Sequence, residues 1–398
     1  MKKIYYGKAV YDNKEVNAVL RVLKNDSLTL IDGKKVKELE KKVSQIFGKK
    51  YGLMVNSGSS ANLLALSSFK FKKGSEIITP NLTFSTTVAP IYQLGLIPHF
   101  IGVVENKFLA DTSHIEKCIN KKTVALMIPN LLGNIADWKK ISLIAKKYKL
   151  KIIEDSADTI GYKVNNKNLG KYSDITTNSF YASHIINGAG TGGIVCFNDK
   201  NLYLKAKLLR GWGRSSATFN ESENATKRFS VKVSGIDYDA KYIFSDLGYN
   251  FLPSEISAAF ALEQIKKLKN NISIRKKNFD YLKNFFNNYK NYFKLPEQNV
   301  GVKTPWLAFP LVIKKNKLFN RKQMQIFFEK NKIQTRTIFT GNILKQPVMK
   351  NRYFKKHPKC DSIADDVMRN GILLGCHQGM IKSELDYMCA TFKRFINV

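Results

Sequence analysis

Three stretches of the chain combine residue types that chemistry can use. In Val55-Asn56-Ser57-Gly58-Ser59-Ser60-Ala61-Asn62-Leu63, an apolar strand runs into small residues and then into a helical pattern. Free N–H groups at a helix start, hydroxyls and a glycine that admits close backbone make a seat for phosphate, and the same residues also suit an ordinary serine cap. In Lys151-Ile152-Ile153-Glu154-Asp155-Ser156-Ala157-Asp158, an apolar strand delivers carboxylates at its carboxyl end, where α/β sheets take their ligands. Asp155 there could pair with a protonated ring nitrogen, help to hold a metal or cap the next helix. A metal would need ligands beyond the carboxylates nearby. The third stretch runs from Asn178 to Gly193 and contains Ser179, His184 and the glycines Gly188, Gly190 and Gly193. Those glycines fit the GxGxxG spacing, but they lead into a strand, Ile194–Phe197, so the dinucleotide reading fails on context. They are read instead as a tight turn beneath a ligand.

Taken in this order, with Gly7-Lys8-Ala9-Val10-Tyr11 before them and Phe244-Ser245-Asp246-Leu247-Gly248-Tyr249-Asn250-Phe251 after, the three stretches resemble the sugar-aminotransferase family of pyridoxal-phosphate enzymes (DegT/DnrJ/EryC1/StrS). The resemblance implies the aspartate-aminotransferase fold (fold type I) and the cofactor pyridoxal 5'-phosphate, with its amine form. By the same resemblance Asp155 pairs with the pyridine nitrogen, Gly58, Ser59 and Ser179 contact the phosphate, and Phe84 stacks on the ring. Asp158 lies near the ring hydroxyl, where most of these aminotransferases carry Gln. Asn250 reaches a phosphate across a dimer interface, so a homodimer with shared active sites is implied.

Position 184 departs from the aminotransferase pattern. The family places there the lysine that holds the cofactor covalently; this chain has His184, and no lysine occurs from Tyr172 through Asp199. Imidazole cannot make that bond, but with an ordinary pKa of about 6.5 it moves protons near neutral pH. In this fold a histidine at that point resembles the 3-dehydratases that make 3,6-dideoxy sugars. One subtype carries an iron–sulfur cluster on four cysteines, whereas this chain has no cysteine between Cys196 and Cys360. The resemblance therefore implies the cluster-free subtype, in which L-glutamate supplies the amino group and the substrate is a nucleotide-linked, GDP-linked by analogy, 4-keto-6-deoxy hexose or heptose. His184 is the expected catalytic residue. Arg214 and Arg336 are the candidates for substrate contact, since guanidinium suits diphosphate and carboxylate. No metal is expected. An aminotransferase using another lysine and a non-catalytic cofactor-binding relative are the alternatives.

The elements that must position these residues are legible as periodicity. Short apolar runs at Tyr51–Val55, Glu76–Thr79, Ile97–Ile101, Thr123–Ile128, Leu150–Glu154, Thr176–Phe180 and Ile194–Phe197 alternate with helical patterns at Ser59–Phe69, Ser85–Leu94 and Trp138–Tyr148, which signals an α/β sheet. Asn13–Lys24 and Lys34–Phe47 read as amphipathic helices, and a long helix starts after Pro253. The expected organisation is a large cofactor-binding α/β domain with a mixed sheet over residues 1–262 and a smaller C-terminal α+β domain over 263–398.

Composition bounds the rest. The 398 residues carry 66 Lys and Arg against 31 Asp and Glu, a formal charge of +35, which raises nucleic acid, an anionic membrane or a phosphorylated substrate as partners. The excess is lysine in scattered pairs such as Lys34-Lys35, Lys41-Lys42, Lys49-Lys50 and Lys121-Lys122, with no basic block, so it reads as solvated surface and neither nucleic acid nor membrane is expected. Five cysteines at irregular spacing read as free thiols. Residues 1–8 are followed by no apolar run, and a cytoplasmic location is expected.

Overall fold

The computed structural model describes residues 2–26, 29–164, 166–218 and 224–397. Seven segments form strands of one sheet: β1 (Tyr51–Val55), β2 (Glu76–Pro80), β3 (Ile97–Ile101), β4 (Thr123–Pro129), β5 (Lys151–Asp155), β6 (Ile175–Ser179) and β7 (Gly193–Phe197). Their order is β1-β7-β6-β5-β4-β2-β3, and a two-residue strand, Lys355–Lys356, adds to the β3 edge. Only β7 runs antiparallel to its neighbours, so the sheet is mixed as expected.

Alternation within each strand sends apolar side chains to both faces, which only a sheet covered on both sides tolerates. Leu53 and Val55 of β1 join one buried cluster while Met54 between them joins another; in β4, Ala125 and Met127 part from Leu126 and Ile128 in the same way. The first face is covered by α3 (Gly58–Ser68), α4 (Ser85–Gln93) and α6 (Lys200–Arg210), the second by α2 (Lys34–Phe47), α5 (Trp138–Lys147) and α7 (Glu255–Lys266). Helix α1 (Asn13–Arg21) packs on α7 through Ala18 and Ala259. Its capping box, Asp12 with Glu15, fixes the start. The predicted helical run to Lys24 continues beyond α1 as one wider turn, Val22–Asp26.

The long helix expected after Pro253 is two helices. Helix α7 ends at Lys266, and α8 (Leu268–Asn287) starts anew beyond Lys267. Lys267 turns its ammonium to Asp12 and Glu15, 2.9 and 2.6 Å away, and both partners lie far off in sequence. Beyond α8 a second sheet pairs β8 (Phe293–Lys294), β9 (Phe309–Ile313) and β10 (Gly371–Leu374), all antiparallel. Helices α9 (Arg321–Lys330) and α10 (Asp361–Asn370) lie between β9 and β10, and α11 (Lys382–Ile396) follows β10. This part has its own apolar cluster, built around Phe286, Phe309, Phe328 and Phe392, and it takes in Ile4, Leu131 and Leu132 as well. The N-terminal segment is tied to it: Ile4 bridges Ile333, and Tyr6 N–H donates to Gln334 Oε1 at 3.0 Å.

Candidate active site

The parallel strands end at a common edge, and there a cavity of about 390 Å³ opens. Each predicted stretch delivers its residues to it. The turn after β1 supplies Ser57, Gly58 and Ser59, β5 supplies Asp155 and the turn after it Asp158, β6 supplies Ser179, and the turn beyond that supplies His184. Phe84, at the N-cap of α4, stands half exposed on the cavity wall, edge-on to Phe339 with ring centroids 5.8 Å apart.

Gly58 is the first residue of α3, whose Ser57 cap accepts from Ser60 N–H at 3.1 Å. A Cβ at Gly58 would lie 2.6 Å from Ser179 Cβ, so only glycine fits between helix start and strand end. Gly193 faces the same turn, and a Cβ there would lie 2.4 Å from Ser57 O. Gly188 and Gly193 are close-packed, Gly190 of the same run stands in open space with φ at +102°, and Gly192 lines the cavity.

Asp155 is 5% exposed, at the end of β5. Its Oδ2 accepts from Asn62 Nδ2 and Thr87 Oγ1, both at 2.8 Å, and its Oδ1 accepts from Ala157 N–H at 3.2 Å. Asn62 is itself fixed, its Oδ1 accepting from Thr177 Oγ1 at 2.6 Å. Burial pushes the Asp155 carboxyl up, and the donors pull it back. A buried carboxylate that lines a cavity without a charged partner in contact is stabilised by a cationic ring atom placed against it. That need, the helix start at Gly58 and Ser59 that opens on the cavity, and the aromatic wall at Phe84 fit a phosphorylated pyridine.

His184 faces the same space. Its Nδ1 lies 3.3 Å from Ser179 O and its Nε2 3.8 Å from Asp158 Oδ1. Assigning the Nδ1 proton to Ser179 O leaves Nε2 with a free lone pair. Burial pushes the His184 imidazole down to about 4, against the pull of the carbonyls of Ser179 and Ala157, with the Arg275 charge adding to the fall. Burial first, and Asp155 second, push the Asp158 carboxyl up to about 7. Asp158 Oδ2 accepts from Leu132 N–H at 2.8 Å.

Three predicted residues do not line this cavity. Asn250 is exposed and bridges Gly211. The Arg214 guanidinium lies 4.3 Å from the Trp212 ring and near Tyr242 and Phe244. Arg336 is exposed; it donates to Thr335 O and lies over Tyr6, a ring of the cavity wall. Conversely, sequence reasoning missed Asn62, Thr87, Tyr6 and Arg275. For Arg275 a signal existed: Leu268, Asn271, Arg275, Asn278 and Leu282 keep helical spacing, so polar residues share the phase of the apolar ones. Among the described residues no three His, Cys, Asp or Glu side chains gather as a metal site, and all five cysteines are free and buried.

A mixed sheet with its cavity at the carboxyl edge, an aspartate at the end of β5 and a glycine-seated helix start define fold type I of the pyridoxal-phosphate enzymes. Within that class the chain belongs to the DegT/DnrJ/EryC1/StrS aminotransferase family, whose profile matches residues 10–393. It is 34% identical to the lipopolysaccharide biosynthesis protein RfbH of Salmonella typhimurium, over 90% of this chain and 84% of that one. It is 32% identical to the GDP-4-keto-6-deoxy-D-mannose 3-dehydratase of Escherichia coli O55:H7, over 97% of this chain and 98% of that one. A solved GDP-4-keto-6-deoxymannose-3-dehydratase with a trapped PLP-glutamate geminal diamine superposes with a TM-score of 0.84 at 30% identity, covering 98% and 99% of the two chains.

Proposed function

We infer that this protein is a pyridoxal-phosphate-dependent lyase that removes the C3 oxygen from a nucleotide-linked, GDP-linked, 4-keto-6-deoxy sugar, for surface polysaccharide biosynthesis. The observation that carries the reading is His184, which lines the cavity beside Asp155 and Asp158. The near full-length likeness to GDP-4-keto-6-deoxy-D-mannose 3-dehydratase supports it. L-Glutamate is the amino donor. Overall, the sugar loses its C3 oxygen, glutamate is oxidised to 2-oxoglutarate and ammonia is released, so atoms and electrons balance. No nucleic acid or membrane enters the reaction. The five buried free thiols agree with a cytoplasmic location.

The residues divide the work as follows. Gly58, Ser59 and Ser179 hold the phosphate at the start of α3, where N–H groups point outward. Asp155, fixed by Asn62 and Thr87, holds the ring nitrogen protonated, and Phe84 covers a ring face. When bound, the pyridine ring is an electron sink for bond breaking beside its amine. His184 cannot tether the cofactor, so its imidazole is free to accept a proton at Nε2 and return it to the departing C3 hydroxyl. Asp158 orients the imidazole. Arg214 and Arg336 remain proposed contacts for the substrate's acidic groups.

Incubation of the protein with pyridoxal phosphate, glutamate and GDP-4-keto-6-deoxy-mannose tests this reading by product mass. Loss of one oxygen with ammonia release is expected. Nitrogen retained at C4 would make the protein an aminotransferase, and turnover of only CDP- or dTDP-sugars would overturn the base assignment.

A further inference from the structure

Arg275 lies in the middle of α8 with none of its surface exposed. Its guanidinium donates to three oxygens: from Nε to Gln378 Oε1 at 2.6 Å, from Nη1 to Leu307 O at 2.9 Å and from Nη2 to Ser183 O at 3.0 Å. All three acceptors are neutral. Ser183 precedes His184. Leu307 N–H donates to Leu132 O at 2.7 Å, and Leu132 N–H in turn donates to Asp158 Oδ2 at 2.8 Å. One side chain therefore grips both the turn that carries the imidazole and the arm that holds its carboxylate neighbour.

Gripping carbonyls needs no charge. One turn to either side on the same helix, Asn271 donates to Ile185 O at 3.0 Å and Asn278 to His377 O at 2.9 Å. These neutral amides do that job without the cost of burying a cation among neutral acceptors. What Arg275 adds is a permanent positive charge behind the imidazole. The other groups that face this space are Asp155 and Asp158 beyond β5, Tyr6 of the N-terminal segment and Tyr181 of the histidine's own turn; Cys376 and His377, after β10, complete the surroundings of Arg275.

We propose that Arg275 is a positioning residue for proton transfer at His184: its fork fixes the turn at Ser183, and its charge adds to burial in disfavouring the protonated imidazole. The proposal rests on the reading of His184 as that base. It follows that the fork and the charge are separable by substitution. Arg275→Gln keeps a carbonyl donor and loses the charge, whereas Arg275→Lys keeps the charge and loses the fork.

The test is the pH titration of the His184 imidazole by ¹⁵N NMR in the purified full-length protein, assigned against His184→Asn, together with the pH profile of sugar dehydration. In Arg275→Gln the His184 midpoint is expected to rise by about one pH unit, and the acid limb of the rate to move with it while KM for glutamate stays. Arg275→Lys is expected to restore the midpoint. A midpoint and acid limb that do not move in Arg275→Gln overturn the proposal. If that variant does not fold, Arg275→Lys decides alone, and a midpoint displaced by about a unit overturns the role of the charge. The underlying reading fails separately: His184→Asn that still dehydrates the sugar sinks the base assignment, whatever Arg275 does to the titration.

Discussion

His184 is held between a backbone carbonyl and a carboxyl group, and its chemistry follows from whether the imidazole or that carboxyl keeps a proton. Its imidazole is depressed to about 4, so it is a neutral base across the working range, while Asp158 at about 7 changes charge within that range. The signs oppose. The unfolded chain binds the histidine proton more readily, so this group costs stability as pH falls from about 6.5 towards 4; the Asp158 contribution is full below about 4 and is lost as pH rises through 7. The dehydration rate should therefore keep its acid limb well below pH 6.5, with any step near 7 absent in Asp158→Asn. A wild-type acid limb at the free-imidazole value contradicts this. Sterics at Gly58 give a second expectation. Gly58→Ala forces two Cβ atoms to 2.6 Å, which costs about 1–3 kcal/mol by overpacking and weakens retention of the cofactor. Ser179→Gly in the same chain should recover much of the melting temperature, and no recovery would place the strain elsewhere.

At the scale of elements, the strand Lys355–Lys356 is the telling case, because it ties the C-terminal part of the chain to the edge of the main sheet. Lys355 pairs with His99 in register and donates to the buried Glu76 at 2.6 Å. Just beyond it, His357 stacks on His114 with ring centroids 3.8 Å apart. Burial holds both His99 and His357 below the ordinary histidine value. Protonation is thus easier once the edge opens, and stability of this edge falls as pH drops through the ordinary range near 6.5. Hydrogen exchange should show the His357 amide, bonded to Phe100 O at 2.8 Å, losing protection between about pH 7 and 5.5 beyond the intrinsic change. His114→Phe should flatten that loss; equal loss in the variant would clear the stacked pair of any part in it. This edge was not legible in the sequence, where two lysines offer no strand signal. The seven other strands were, to within a residue, because their alternation and flanking turns are local. The break at Lys267 was not, since the residues that hold its side chain, Asp12 and Glu15, lie far off in sequence. The same division holds in the site: Asp155 and His184 stand at readable strand ends and turns, while Asn62, Thr87 and Arg275 matter only through contacts across the fold.

At the scale of the whole molecule, charge and apolar surface pull in different directions. Lys34, Lys41, Lys50, Lys121, Lys122 and Lys356 are exposed, in keeping with a solvated excess, but Lys49 is buried and donates to Ser173 O at 2.5 Å. Against this basic surface stands an apolar stretch between residues 212 and 247: Trp212, Phe229, Ile236, Tyr238, Tyr242, Phe244 and Leu247 are all exposed, Leu247 by 93%. Arg214 stacks within it and Asn250 follows it, so two of the three candidate ligand contacts missing from the cavity belong to this apolar stretch. Exposed apolar area of this kind suits an isologous interface between two copies. In such a dimer Asn250 is expected to reach the partner's cavity, as the family resemblance implies, with Arg214 close beside the same interface. Light scattering should give twice the 45.3 kDa chain mass, with the dimer favoured by salt because like charges repel across it. Mixing two inactive variants makes the sharing measurable. In a hybrid of a His184→Asn chain with an Asn250→Ala chain, one cavity keeps both its own His184 and an intact Asn250 from across the interface. Random reassortment should therefore restore roughly a quarter of the sites. Mixed variants that stay as inactive as either alone, while forming hybrids, would return Asn250 to a purely structural role.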